Sequence, residues 1–299
     1  MNRYSKIWSR ILNGETIFID GATGTEIERR GVPQLDNAWN GGGALSHPDI
    51  LLEVHEDYIR SGVDIVISNT FATLKSALVD AGLEQQFESL NQRSIELACT
   101  ARANLAAENV VVAGGISHWS WSGRYPTLKH LCQNATQQAQ ILRESGAELI
   151  MLEMMSKMER MLAVLEGVEQ VDLPVWVGLS CKTGKDRSPR LYDSNEALED
   201  AINVLHGKKV DLLSIMHTDV SLIDECLDVV QANWDGPIGV YAHSGDYIDG
   251  KWIFDNVISP NNYAEIAKGW HRRGVRAIGG CCGIGPNHID VLIQKIRTS

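Results

Sequence analysis

No run of residues in this chain approaches the roughly 20 consecutive apolar positions that a membrane span needs. The opening stretch MNRYSKIWSR also lacks the apolar core of a secretory leader, so a cytosolic location is the expectation. Positive charge is in short supply: 27 Lys and Arg stand against 38 Asp and Glu, a formal net charge of −11. With no basic stripe, nucleic acid and anionic membrane are poor partners, since both need concentrated cations. Cysteine is scarce and irregularly spaced, six in 299 residues, which excludes a disulfide scaffold and points to reduced thiols. No Pro/Ser-rich linker, low-complexity tract or repeat divides the chain, and 44% hydrophobic with 22% charged residues excludes disordered and fibrous classes.

What the chain does have is a rhythm of short, β-branched apolar runs separated by helical stretches. The runs cover residues 16–20, 63–69, 110–115, 148–153, 173–180, 210–216, 237–242 and 275–280. Several follow a glycine that ends the preceding helix, as in RSGVDIV, ESGAELI and RRGVRAI. Eight β-then-α units in one chain of this length predict an α/β fold, a closed (β/α)8 TIM barrel forming a single domain over residues 1–299.

Such barrels place their chemistry where strands end, and here those positions are polar. Asp20 follows the first run, Asn69 and Thr70 the second, Ser117 and His118 the third, and Glu153 ends the fourth. Ser180 ends the fifth, His217 follows the sixth, His243 and Ser244 the seventh, and the tandem Cys281 and Cys282, framed by glycines, the eighth. Neighbouring cysteines rarely form a stable disulfide with each other because the ring strains the peptide between them. Two thiolates and the His217 imidazole make a set suited to Zn2+, with a fourth position left for a substrate thiol whose pKa the metal would lower. His243 and His118 are the substitutes for His217. The other cysteines, Cys99, Cys132, Cys181 and Cys226, are read as structural.

These residues carry a resemblance. The stretch GGCCG followed by Pro286, the N-terminal DGATGTEIERRG, SNTF at the second run, the Glu153 strand end, SGD after the seventh run and HPDILLEVHEDYIRSG together resemble the homocysteine S-methyltransferases over most of the chain. The resemblance implies a zinc-dependent barrel that methylates homocysteine to methionine, with the metal held by the tandem cysteines and a third cysteine at the sixth strand end. His217 stands in that third place here. It implies that Asp20 and Glu153 hold the ammonium of homocysteine, as charge complementarity requires, while the turn at 21–25, with Gly21, Thr23 and Thr25, receives its carboxylate through backbone N–H groups.

The implied methyl donor is a sulfonium or quaternary ammonium compound such as S-methylmethionine, S-adenosylmethionine or betaine. A cationic donor calls for aromatic faces. Trp39 lies where betaine-using relatives place a tryptophan, Phe71 where some relatives carry a tyrosine, and Trp119, Trp121 and Tyr125 are further loop aromatics. The basic loop at 181–190 could meet a donor carboxylate or simply face solvent. Against these functional readings, Asp20 could cap the following helix and Glu153 could pair with Lys157 or Arg160. Two alternatives stay open at this level: another thiol acceptor or alkyl donor on the same zinc barrel, and a metal-free binding barrel. A zinc hydrolase is disfavoured, because thiolate ligands blunt the Lewis acidity it relies on.

Overall fold

Eight parallel strands run in the order in which the apolar runs occur in the chain. They are β1 (Ile17–Phe18), β2 (Ile65–Ile67), β3 (Val111–Ile116), β4 (Leu149–Met155), β5 (Val175–Leu179), β6 (Leu212–Asp219), β7 (Ile238–His243) and β8 (Ala277–Gly280). The structure is a computed structural model that describes residues 1–248, 251–254 and 256–298, with the backbone alone at 246–248 and 251–252. Each strand pairs with its sequence neighbour in this set, and β8 pairs with β1. The bridge between Ile19 and Ile65, with the Asp20 amide donating to the Ile65 carbonyl at 3.1 Å, closes the ring. The result is the expected TIM barrel.

Alternation along the strands sorts side chains into two cores, as a period of two requires. Ile17, Ile65, Val111, Leu149, Trp176, Leu212, Tyr241 and Ala277 point inward. Their neighbours Phe18, Val66, Val112, Ile150, Val177, Leu213, Val240 and Ile278 point outward. There they meet the crossover helices, among them Pro48–Ser61, Phe87–Asn104, Leu128–Glu144, Met158–Val168, Ile223–Asn233, Pro260–Arg272 and Pro286–Arg297. The glycine stops read from the sequence hold: Gly62, Gly146 and Gly274 all take positive φ just before β2, β4 and β8.

The N-terminal helix Arg3–Leu12 shuts the end of the barrel where the strands begin. Its Tyr4, Ile7 and Ile11 lie on one face by helical spacing and join the inner core. The Tyr4 hydroxyl donates to Asp211 at 2.5 Å and accepts from the Trp176 indole N–H at 3.1 Å. The opposite end, where the strands finish, is left open for the loops. Two short hairpins decorate that end, Cys181–Thr183 with Pro189–Leu191 and Asp246–Ile248 with Lys251–Ile253. Among the described residues no helix is long and apolar enough to cross a membrane.

Tyr4→Phe tests the closed end. It strands the Asp211 carboxylate and the Trp176 N–H, and we expect a loss of about 1–3 kcal/mol, seen as a lower urea midpoint with unchanged slope.

Candidate metal and substrate site

Several strand ends converge on one cavity of about 270 Å3 at the open end of the barrel and present consecutive residues to it, among them Glu153 and Met154, Met216 and His217, and Cys281 and Cys282. A regular strand cannot do this, because successive side chains face opposite ways. The ladder is broken in β4 and in β6. The register of β4 against β5 shifts between Leu152 and Met155, and that of β6 against β7 between Met216 and Asp219. Met154 and His217 take left-handed φ values of 55° and 45°, a conformation that costs a non-glycine residue about 1–2 kcal/mol and gathers at functional sites. The Met154 amide, turned off the ladder, donates to the Met216 sulfur at 2.7 Å.

The turned His217 brings Nδ1 to 3.4 Å from Cys281 Sγ and 3.7 Å from Cys282 Sγ, and the two sulfurs lie 4.0 Å apart. Tetrahedral zinc, with bonds of about 2.3 Å to sulfur and 2.0–2.1 Å to nitrogen, sets ligand-to-ligand edges of about 3.8 Å and 3.6 Å. The triangle therefore matches the ligand set of a metal ion, and these are the three residues among those described that could hold one. Backbone bonds fix the thiol loop: the Cys281 amide donates to Ala242 O at 2.8 Å and the Ser244 amide to Cys282 O at 3.0 Å. The adjacent Cys282 thiol and burial push the Cys281 thiol well above its usual range, a shift that a nearby cation would oppose. His118 is elsewhere. It is buried, accepts from the Ser156 amide at 3.2 Å, and is pulled down to about 4 by burial. The His243 ring packs against that of His217, centroids 4.8 Å apart.

Across the cavity stand the carboxylates. Glu153 is on the wall, and neither Lys157 nor Arg160 pairs with it. Burial raises its pKa to about 8. Gly115 makes room for it, since a Cβ there would sit 2.0 Å from Glu153 Oε1. Asp20 is 1% exposed and lies behind the wall. It does not cap the next helix; its Oδ2 accepts from the Ile67 amide at 2.8 Å, while Oδ1 has no partner among the described residues. Burial raises its pKa well above the usual range against that amide bond, and Glu153 adds to the rise. Of the N-terminal turn, Gly21 and Thr23 line the cavity, whereas Thr25 lines a separate cleft with Glu26 and Arg29.

Aromatic rings form the remaining wall. Trp39 meets Phe71 edge-on at 6.3 Å, Phe71 meets Trp121 at 5.9 Å, Trp119 meets Tyr192 at 6.1 Å, and Tyr192 meets His217 at 6.1 Å. Trp39 itself has φ 41°, and its ring crosses Gly24 so closely that a Cβ there would lie 2.5 Å away. Tyr125 is not on the wall; its ring carries the Arg160 guanidinium at 3.9 Å and its hydroxyl donates to Asp193 at 3.0 Å. The basic loop folds as the hairpin after β5 and sends no cation to the cavity; Tyr192, which follows the hairpin, lines it. Tyr192, Met154, Met216 and Tyr241 were not legible as strand-end residues; inward alternation along β7 marks Tyr241. The side chain of Asp246, from the SGD stretch, lies outside the described residues.

The profile of the family described as homocysteine S-methyltransferase matches residues 17–296. Homocysteine S-methyltransferase 2 of Zea mays is 25% identical over 313 residues, covering 96% of this chain and 91% of its own. Selenocysteine Se-methyltransferase of Brassica oleracea var. italica is 25% identical over 314 residues, covering 95% of this chain and 89% of its own. Among solved structures, the homocysteine methyltransferase MmuM of Escherichia coli, in a metallated form, superposes with a TM-score of 0.79 at 23% identity, covering 94% of this chain and 96% of that one.

The buried Glu153 makes stability depend on pH. Unfolded, it ionises near 4.5; folded, near 8. Between those values the unfolded chain sheds the proton first, so the contribution is complete below 4.5, declines as pH rises and is lost beyond 8. Each pH unit in that window corresponds to about 1.4 kcal/mol at most. Glu153→Gln cannot ionise, and denaturant midpoints of the ligand-free protein should show it gaining on the wild type between pH 5 and pH 8, by roughly 1–4 kcal/mol.

Proposed function

The chain belongs to the homocysteine S-methyltransferase family, and from that premise we propose that it moves a methyl group from a sulfonium or quaternary ammonium donor to homocysteine at a zinc site made by His217, Cys281 and Cys282. The observation that carries the reading is the donor triangle opening into the same cavity as an unpaired carboxylate and a row of aromatic rings. Zinc, when bound, supplies the Lewis acidity that turns a substrate thiol into a nucleophile near neutral pH.

The chain's own residues do the rest. Glu153, supported by Asp20 behind it, receives the ammonium of homocysteine, and the incoming positive charge offsets the desolvation that raises the pKa of both carboxyl groups. Gly21, Thr23 and the amides of the 21–25 turn take the carboxylate, which orients the thiol toward His217 and the cysteines. Trp39, Phe71, Trp119, Trp121 and Tyr192 offer ring faces and edges to a cationic donor and exclude water from the transfer. An apolar cavity of about 150 Å3 takes one benzene, so 270 Å3 suits homocysteine beside a compact donor head and leaves an adenosyl group outside. S-methylmethionine or betaine therefore fits better than S-adenosylmethionine. A metal-free binding barrel gives no reason for three ligand atoms at tetrahedral spacing. We place the enzyme in the cytoplasm.

The test is methionine formation from homocysteine with each donor in turn, alongside zinc content, and with selenocysteine as the rival acceptor. We expect about one zinc per chain and methionine from a compact donor; zinc without methionine for any donor defeats the acceptor assignment. Cys281→Ala and Cys282→Ala should each lose metal and activity together. Glu153→Gln should keep the metal and raise KM for homocysteine about 10- to 100-fold, the loss of one charge-assisted contact.

A further inference from the structure

Ser180, which directly follows β5, takes no part in the cavity wall, yet it touches both broken strands. It is fully buried. Its amide donates to the Met155 carbonyl of β4 at 3.1 Å, and its hydroxyl donates to the His217 carbonyl of β6 at 2.8 Å. Its own carbonyl accepts from the Tyr192 amide at 2.9 Å, which ties in the residue after the hairpin, whose ring faces His217. On the other side of His217, the buried Thr218 hydroxyl donates to Met216 O at 3.0 Å and accepts from the Cys181 amide at 2.9 Å. The β5–β6 ladder has ended by this point, its last pair being Leu179 and Ile215. Two hydroxyls have replaced the ladder around a residue that holds a left-handed conformation against its own preference.

We propose that Ser180 and Thr218 are positioning residues that hold His217 in its turned conformation, so that Nδ1 faces the two thiols before any metal arrives. This rests on the metal reading given above. Without the clamp, His217 is free to return to extended backbone, which carries the imidazole away from the sulfurs and leaves a two-thiol site. Groups that orient a ligand from behind typically change metal affinity 10- to 100-fold when removed.

Cobalt(II) titration of the intact protein, followed by the thiolate-to-cobalt charge-transfer band, tests this without reference to turnover. Ser180→Ala and Thr218→Val should each weaken cobalt binding 10- to 100-fold while the band persists. In a His217→Ala background the same changes should move affinity less than about twofold, because the group they act through is gone. Equal weakening in both backgrounds overturns the proposal, as does wild-type affinity in both single variants. If Ser180→Ala does not fold, by circular dichroism, Thr218→Val alone completes the cycle. A wild-type protein without the band sinks the metal reading itself, and the proposal with it.

Discussion

A β-strand sends consecutive side chains to opposite faces, so a barrel built only of regular strands could bring one residue per strand end to its mouth. This protein brings consecutive residues from several strand ends, and the site depends on how it departs from that alternation. In β4 and β6 the departure is a register shift with a left-handed residue inside it, Met154 in one and His217 in the other. A bulge re-aims a side chain at the expense of ladder hydrogen bonds. The lost bonds are made again by side chains, the Met216 sulfur for the Met154 amide and the Ser180 and Thr218 hydroxyls around His217. The strain is thus confined to a few residues that a complete barrel surrounds on every side.

Charge follows the same logic at the level of the whole cavity. Two carboxyl groups and two thiols lie in or behind its wall; burial raises the pKa of Asp20 and Glu153, and the neighbouring Cys282 thiol together with burial raises that of Cys281. Each is a group that would ionise readily beside a cation. The proposed occupants all bring one: a metal at the sulfur end, an ammonium at the carboxylate end, and a sulfonium or quaternary nitrogen against the rings. Binding and ionisation are coupled, so each cation that binds favours the charged form of the group it meets.

Much of this was legible in the chain itself. Apolar runs with helices between them located all eight barrel strands, because both faces of each strand are buried and so read as continuous hydrophobic stretches. Strand ends then pointed to Glu153, His217, Cys281 and Cys282, since the open end of a barrel is where polar residues have no structural duty. The bulges were not legible: Met154 and Met216 look like ordinary strand residues, and nothing in their identity says that the ladder breaks beside them. Tyr192 was hidden because it follows a hairpin inserted after β5, where the basic residues around it read as a solvated loop. Asp20 and Thr25 belong to the right segment, but the direction of the turn after β1 sends one behind the wall and the other to a neighbouring cleft.

The proposed place of the His217 imidazole as third ligand turns on reach and charge together. Nδ1 lies one bond farther from Cα than a cysteine sulfur would, and part of that length is returned by a metal–nitrogen bond about 0.2–0.3 Å shorter than metal–sulfur. Coordination through Nδ1, the near nitrogen, is therefore compatible with a position built for a thiolate, whereas the far nitrogen would overshoot it. The contacts agree, since it is Nδ1 that stands 3.4 and 3.7 Å from the sulfurs. In charge the two ligands differ. Two thiolates and a neutral imidazole balance a divalent ion, where three thiolates leave one negative charge in excess. On the proposed reading, a cationic methyl donor would meet less attraction from the metal end and depend more on the aromatic wall, in which Tyr192 meets the His217 ring itself.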